Sequence, residues 1–313
     1  MPEQFCHVGG GITLCYETFG DPADPTALLV MGLGTQMVAW HADFCSDLAA
    51  QGLHVVRFDN RDVGRSTHVG GRPPSTLQIL LRSARAARYD LGDMAQDAVA
   101  LLEELELGPA HVIGASMGGM IAQTLAARHP HSVRSLTSIM SNTGSRRSGQ
   151  PSLAVYPLFL RRAPRERGAF VEHTVRVFET IGSPGLPREE RDLREMAELS
   201  YDRGNDPAGV GRQLAAIAAS GDRTAELHGI EAPTLVIHGR EDPLVAPSGG
   251  RATARAIPRS RLVLVPGMGH DMPRALWPQL IAAVADHARR ADERATERLS
   301  LQTQPAPVTG LQG

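Results

Sequence analysis

Gly114-Ala115-Ser116-Met117-Gly118-Gly119 is the one Gly-x-Ser-x-Gly pattern in the chain. It falls where a short apolar run at 110–114 meets helix-like periodicity over 118–128. A strand that turns this sharply into a helix strains the serine backbone and holds the hydroxyl clear of the sheet, and small flanking residues let strand and helix approach. The helix start supplies positive potential, and the backbone N–H of Met117 is aimed where an oxyanion would form. That is the chemistry of a nucleophilic serine. The competing reading is a glycine-rich turn whose serine only caps a helix.

The order of two further residues favours the nucleophile. Asp242 follows the apolar run 234–238 and His270 follows the run 261–265, so Ser, Asp and His come in sequence, each just after a strand-like segment. The chain has 12 His, so it is position and not residue type that singles out His270. His238 lies inside a strand end and reads as packing. Glu241 and Asp271 compete with Asp242 for the role of acid.

These residues need a scaffold, and the periodicity supplies one. Strand-like runs at 12–19, 27–31, 54–58, 110–114, 133–140, 234–238 and 261–265 alternate with helical segments at 37–51, 91–107, 118–128, 250–256 and 274–289. The alternation predicts an α/β fold with a mostly parallel sheet covered by helices. In 91–107, Met94, Ala98, Leu101, Leu102 and Leu105 recur at helical spacing and Gly108-Pro109 stops the run. Over 142–223 the alternation gives way to helical segments rich in Arg and Glu and broken by Pro164, Pro184, Pro187 and Pro207. The expected organisation is a core formed by 1–141 and 224–300, a helical insertion at 142–223 and a disordered tail at 301–313.

Composition removes several classes of function. With 313 residues, 42% hydrophobic and 21% charged, the chain has the balance of an ordinary globular protein, and no apolar run is long enough to span a membrane. The 32 basic and 34 acidic side chains leave a net charge of -2, with no field to attract nucleic acid or an anionic membrane. There is no Lys, which excludes Schiff-base and pyridoxal-type catalysis. Cys6, Cys15 and Cys45 lack zinc-site spacing and read as reduced structural thiols. No cofactor and no metal are expected. The N-terminus shows no secretion signal, so a cytoplasmic location is expected.

Four segments carry a resemblance to the α/β-hydrolase fold superfamily from about residue 12 to 290. They are Val30-Met31-Gly32-Leu33-Gly34, then Arg57-Phe58-Asp59-Asn60-Arg61-Asp62-Val63-Gly64-Arg65-Ser66, the Ser116 turn, and Gly239-Arg240-Glu241-Asp242-Pro243 with Gly267-Met268-Gly269-His270. Within that superfamily the chain is most similar to bacterial carboxylesterases of the polyketide (aclacinomycin) methylesterase type. The resemblance implies an eight-stranded, mostly parallel sheet with a helical cap inserted after the sixth strand. It also implies that Ser116 attacks an acyl carbon, that His270 takes its proton and later gives it to the leaving group, and that Asp242, just before Pro243, fixes the imidazole. Asp271, ahead of Pro273, reads instead as a residue of a helix N-terminus. The strand end Met140-Ser141-Asn142 offers no carboxylate, in keeping with Asp242 as the acid.

The second oxyanion donor implied by the resemblance is the backbone N–H of Leu33. Many relatives carry His before the glycine where this chain has Met31-Gly32, which keeps the backbone donor but removes a side chain that braces the loop. Asp59, Arg61, Asp62 and Arg65 are expected to pair with one another, and the runs Arg82, Arg85, Arg88 and Arg161, Arg162, Arg165, Arg167 to be solvated faces. Met31, Gly32, Met268 and Met272 are expected to line the substrate pocket. Leu153, Val155, Leu158, Phe159, Phe170, Val171, Val175 and Phe178 give the insertion apolar stripes, most of them packing it onto the sheet and some roofing the serine.

A serine at this turn argues against dehalogenases and epoxide hydrolases of similar fold, which need a carboxylate nucleophile. The expected function is a serine carboxylic-ester hydrolase acting on small to medium, mainly neutral, small-molecule esters, as a monomer or homodimer. Lactone opening, carbon–carbon bond hydrolysis and peracid formation use the same three residues, and a non-catalytic ligand-binding protein keeps the fold without the chemistry.

Overall fold

The computed structural model describes residues 2–71, 75, 78, 87–160 and 164–302. Arg82, Arg85, Arg161, Arg162 and residues 303–313 of the expected tail lie outside the described residues.

Eight strands form one sheet in the order β1-β2-β4-β3-β5-β6-β7-β8. They are β1 (Gln4–His7), β2 (Thr13–Phe19), β3 (Thr26–Val30), β4 (His54–Phe58), β5 (Ala110–Ala115), β6 (Val133–Ile139), β7 (Thr234–Gly239) and β8 (Ser260–Val265). β1 and β2 are antiparallel, and every pairing from β4 to β8 is parallel. β3, β4, β5 and β7 are buried along their whole length, which is why their sequences carry consecutive apolar residues and not an apolar–polar alternation. β1 is absent from the reading of the sequence, because its exposed residues surround a single buried one, Cys6.

Helices cover both faces. Helix α1 (Ala42–Ala49) and helix α10 (Trp277–Gln302) pack on one side, while α2 (Leu91–Glu104) and α3 (Met117–Arg128) pack on the other. The helix expected at 37–51 is divided into a 3-10 turn at Met37–Ala39 and α1, with the His41 side chain accepting the Asp43 N–H at the break. The long C-terminal helix runs to Gln302, beyond the expected end at 289 and into the segment expected to be disordered.

Between β6 and β7 the regular elements among the described residues are helical, chiefly α4 (Tyr156–Leu160), α5 (Arg167–Ile181), α6 (Glu190–Arg203) and α7 (Pro207–Ser220). α8 (Thr224–Leu227) leads into β7, and α9 (Ser248–Ala256) joins β7 to β8. No helix among the described residues is long and apolar enough to cross a membrane.

Parallel register gathers the loops that matter. Val30 pairs with Gly114, Ala115 with Ile139, Ile139 with Ile237, and Gly239 with Val265. The C-terminal ends of β3, β5, β6, β7 and β8 therefore lie along one edge of the sheet, where open α/β sheets bind ligands.

Candidate active site

Ser116 stands between β5 and α3 with φ 56° and ψ −119°, a left-handed backbone that a β-strand entering a helix this abruptly requires. Its amide is tied to the Ile139 carbonyl at 2.9 Å. The flanking glycines are dictated by space: a Cβ on Gly114 would stand 2.1 Å from the Gly118 oxygen, and one on Gly118 would stand 2.1 Å from the Val30 oxygen. Any side chain at either position would push helix and strand apart.

His270 reaches Ser116 from the loop after β8. Its Nε2 lies 2.9 Å from Ser116 Oγ and its Nδ1 lies 2.8 Å from Asp242 Oδ2. With the proton on Nδ1, the imidazole donates to the carboxylate and accepts from the serine hydroxyl. The remaining oxygen of Asp242 accepts the N–H groups of Leu244 at 2.9 Å and Val245 at 2.8 Å. Burial opposes ionisation of Asp242, but His270, His238 and the Val245 amide outweigh it and hold the carboxyl at about 2. An imidazole placed between such a permanent anion and a hydroxyl can remove the hydroxyl proton and remain stable as imidazolium.

The loop after β3 closes the other side of the serine. A Cβ added to Gly32 would lie 3.1 Å from Ser116 Cβ, so the loop backbone packs directly against Ser116. Met117 is the first residue of α3, a position whose amide has no acceptor within the helix, and both Met117 and Leu33 line the space beside Ser116. The loop is held without the missing histidine. Asn60 Nδ2 donates to the Met31 carbonyl at 2.9 Å, and the Gly34 N–H donates to Gln213 Oε1 at 2.8 Å. Gln213, buried on α7, also donates to the Arg61 carbonyl at 2.7 Å. It is a bracing residue that sequence reasoning missed.

Ser116 and His270 open onto a cavity of about 590 Å³. Met31, Gly32 and Met272 line it as expected, together with Leu33 and Met117. Met268 does not. It is fully buried in the core against the sheet, because the Gly267 turn, at φ 75°, sends the next side chain inward. Six of the ten methionines line the cavity: Met31, Met117, Met120, Met140, Met196 and Met272. Among the described residues of the expected apolar stripes, Phe178 reaches it, and the segment between β6 and β7 also contributes Val177, Ile181, Leu193, Met196, Leu214 and Ile217 together with the charged Arg188, Glu189 and Asp192. Val155, Val171 and Val175 are buried elsewhere, Leu153 is 88% exposed, and the Phe159 side chain lies outside the described residues.

Three other expectations meet different outcomes. His238 is buried, and its Nε2 lies 2.7 Å from the Val245 carbonyl and 3.4 Å from Asp242 Oδ2, so it supports the acid as well as packing. Both His270 ring nitrogens are engaged by Asp242 and Ser116, while Asp271 accepts a hydrogen bond from Ser183; burial raises its carboxyl above the usual range despite that bond. The charged side chains of Asp59, Arg61, Asp62 and Arg65 form ion pairs with distant partners, Arg203, Asp97, Arg212 and Glu3 respectively, and within the turn it is the Arg65 backbone N–H that bonds the Asp59 carboxylate.

Among the described residues, one cluster has ligand spacing for a metal, Asp62, His68 and Asp206. The Arg212 guanidinium bonds both carboxylates, at 2.6 Å and 2.8 Å, and so places a positive charge between them.

Comparison with known proteins agrees with this architecture. The alpha/beta hydrolase fold family matches residues 25–273. Rhodomycin D methylesterase DauP of Streptomyces sp. strain C5 is 29% identical over 90% of this chain and 96% of its own. Two solved structures share the fold: the enol-lactonase from Burkholderia xenovorans LB400, with a TM-score of 0.71 and 24% identity over 91% of this chain and 99% of that one, and the 2-hydroxy-6-oxo-6-phenylhexa-2,4-dienoate hydrolase from Rhodococcus sp. strain RHA1, with a TM-score of 0.72 and 19% identity over 92% and 98%. With an eight-stranded sheet, a strained serine turn and a family match across most of its length, the chain belongs to the alpha/beta hydrolase fold family.

Proposed function

We propose that the chain hydrolyses carboxylic esters through an acyl-enzyme on Ser116. The observation that carries this reading is the unbroken hydrogen-bond chain from Asp242 through His270 to Ser116, facing an apolar cavity. His270 Nε2 takes the Oγ proton as the serine attacks the carbonyl carbon, and the amides of Leu33 and Met117 receive the oxyanion. Imidazolium protonates the departing alkoxide. His270 then activates a water that cleaves the acyl-enzyme, and the proton returns through the same nitrogen to Ser116.

Residues 142–223 act as a cap over a core of 1–141 and 224–300, because the helices between β6 and β7 supply the cavity roof. The substrates are small to medium neutral esters. A lining rich in flexible methionine adapts to varied apolar groups, and a mainly apolar cavity of about 590 Å³ suits a substrate of small to medium size. The methylesterase activity of DauP is in keeping with a small alcohol as leaving group.

Two measurements test this. Ser116→Ala should retain less than about a thousandth of the wild-type kcat on p-nitrophenyl esters and should no longer be labelled by a fluorophosphonate, given the losses that follow removal of a nucleophile. Higher residual turnover would remove Ser116 from the mechanism. Across acetate, butyrate, octanoate and palmitate esters with one succinate monoester, kcat/KM should peak at butyrate or octanoate. A preference for palmitate or the succinate monoester would reject the substrate class.

A further inference from the structure

The end of α5 is bonded to the loop that carries His270. The His270 N–H donates to the Ile181 carbonyl at 2.7 Å, and the Gly269 N–H donates to Ser183 Oγ at 2.9 Å. The Ser183 hydroxyl in turn donates to Asp271 Oδ1, and the Ser183 amide bonds the same carboxylate. The backbones are equally close. A Cβ on Gly269 would stand 2.3 Å from the Gly182 oxygen, and one on Gly182 would stand 2.9 Å from Asp271 Oδ2. Three consecutive residues, 269–271, are thus fixed by atoms that take no part in the Asp242–His270–Ser116 chain. The same helix presents Val177, Phe178 and Ile181 to the cavity.

We infer that Ser183 and Asp271 are positioning residues, which clamp the loop of the general base to the C-terminal end of the helix that roofs the substrate. The inference rests on the proposed ester hydrolysis. The imidazole must meet Ser116 and Asp242 at 2.9 Å and 2.8 Å at once, so a small displacement of its backbone breaks one contact or the other. Asp271 acts here as an acceptor and not as a charge. An asparagine at that position keeps an acceptor oxygen for Ser183, and an alanine does not.

The experiment compares wild type with Ser183→Ala, Asp271→Ala and Asp271→Asn. It reads p-nitrophenyl butyrate turnover and the rate of fluorophosphonate labelling, normalised to folded protein by near-ultraviolet circular dichroism. Both alanine variants should lower kcat by about tenfold or more with KM within about twofold, and labelling should slow in parallel. Asp271→Asn should recover most of the loss. The inference is overturned if Ser183→Ala keeps kcat within about twofold of wild type, if the loss lies in KM alone, or if Asp271→Asn falls as far as Asp271→Ala. If Ser183→Ala loses its tertiary signal, the ratio between the two Asp271 variants decides. Loss of that signal in both alanine variants makes the contacts architectural and overturns the inference. A wild type inert to both reagents would instead reject ester hydrolysis itself.

Discussion

Asp242 keeps its charge in a buried place because His270, His238 and two loop amides converge on it. With its carboxyl held at about 2, it stays ionised at any pH where an esterase is assayed, and its exchange for a neutral amide is felt directly by the imidazole. Asp242→Asn should therefore lower kcat by about a thousandfold or more, because the amide reverses the donor and acceptor pattern that fixes the His270 tautomer. Glu241→Gln, at a side chain that accepts the Gly267 N–H on the exposed side of the loop, should cost less than about threefold. Equal losses at the two positions, measured on one ester, would move the acid away from Asp242. That Ser116, Asp242 and His270 come together was legible because each follows a strand closely, and parallel register then makes them neighbours. Gln213 and His238 were not, because their tasks depend on folded contacts: Gln213 bonds a loop 179 residues away, and His238 sits within a strand like any packing residue. Met268 was misplaced for a related reason, since nearness to His270 in sequence does not say which way a side chain faces after a tight turn.

The helices between β6 and β7 are tied to the sheet by two buried arginines. Arg203, at the end of α6, bonds Asp59 at 2.7 Å, and Arg212 of α7 bonds Asp62 at 2.6 Å. Both carboxylates are fully buried, Tyr89 donates to Asp62 at 2.6 Å, and the Asp59 carboxylate also accepts the amides of Met37 and Arg65. Removing one partner of such a pair leaves a buried charge uncompensated. Arg212→Met should thus lower the unfolding free energy by about 3–5 kcal/mol in urea denaturation, while Arg212→Met combined with Asp62→Leu should lose less than the single change. A single-variant loss under about 1 kcal/mol would mean that water reaches Asp62 in place of the arginine. The alternation of strands and helices was readable because burial on both faces leaves its mark locally. The ties were not, because a charged turn at 59–65 looks self-sufficient in sequence, while its actual partners lie 144 and 150 residues further on. What the sequence shows of the segment between β6 and β7 is that it is helical; which of its faces roofs the cavity is decided by how these arginines seat it.

Across the whole molecule, several histidines are packed between sheet and helices as neutral rings, and acid should find them first. His287 of α10 sits under the sheet, with Nε2 3.1 Å from the Pro233 carbonyl and 3.2 Å from the Leu136 carbonyl. Burial lowers it from 6.5 to about 4, against the pull of those carbonyls. His54 and His111 are lowered in the same direction, again by burial. Between the unfolded value of 6.5 and the folded value of about 4, the unfolded chain binds more protons than the native one, so stability rises with pH in that window and is lost as pH falls through it. At about 1.4 kcal/mol for each unit, His287 alone accounts for up to about 3 kcal/mol. Asp242 works in a lower window: its stabilisation is present above 3.8 and fades only as pH approaches 2. Burial raises the carboxyls of Asp97 and Asp271, and these oppose the histidines near the bottom of the first window. Urea midpoints measured from pH 7.5 to 4.5 should accordingly fall well before the carboxylates titrate. His287→Gln, which keeps a donor for the two carbonyls but cannot take up a proton, should flatten that fall by as much as one proton's worth of slope. If the variant and the wild type lose stability in parallel over this range, the buried ring under the sheet is not the group that acid attacks.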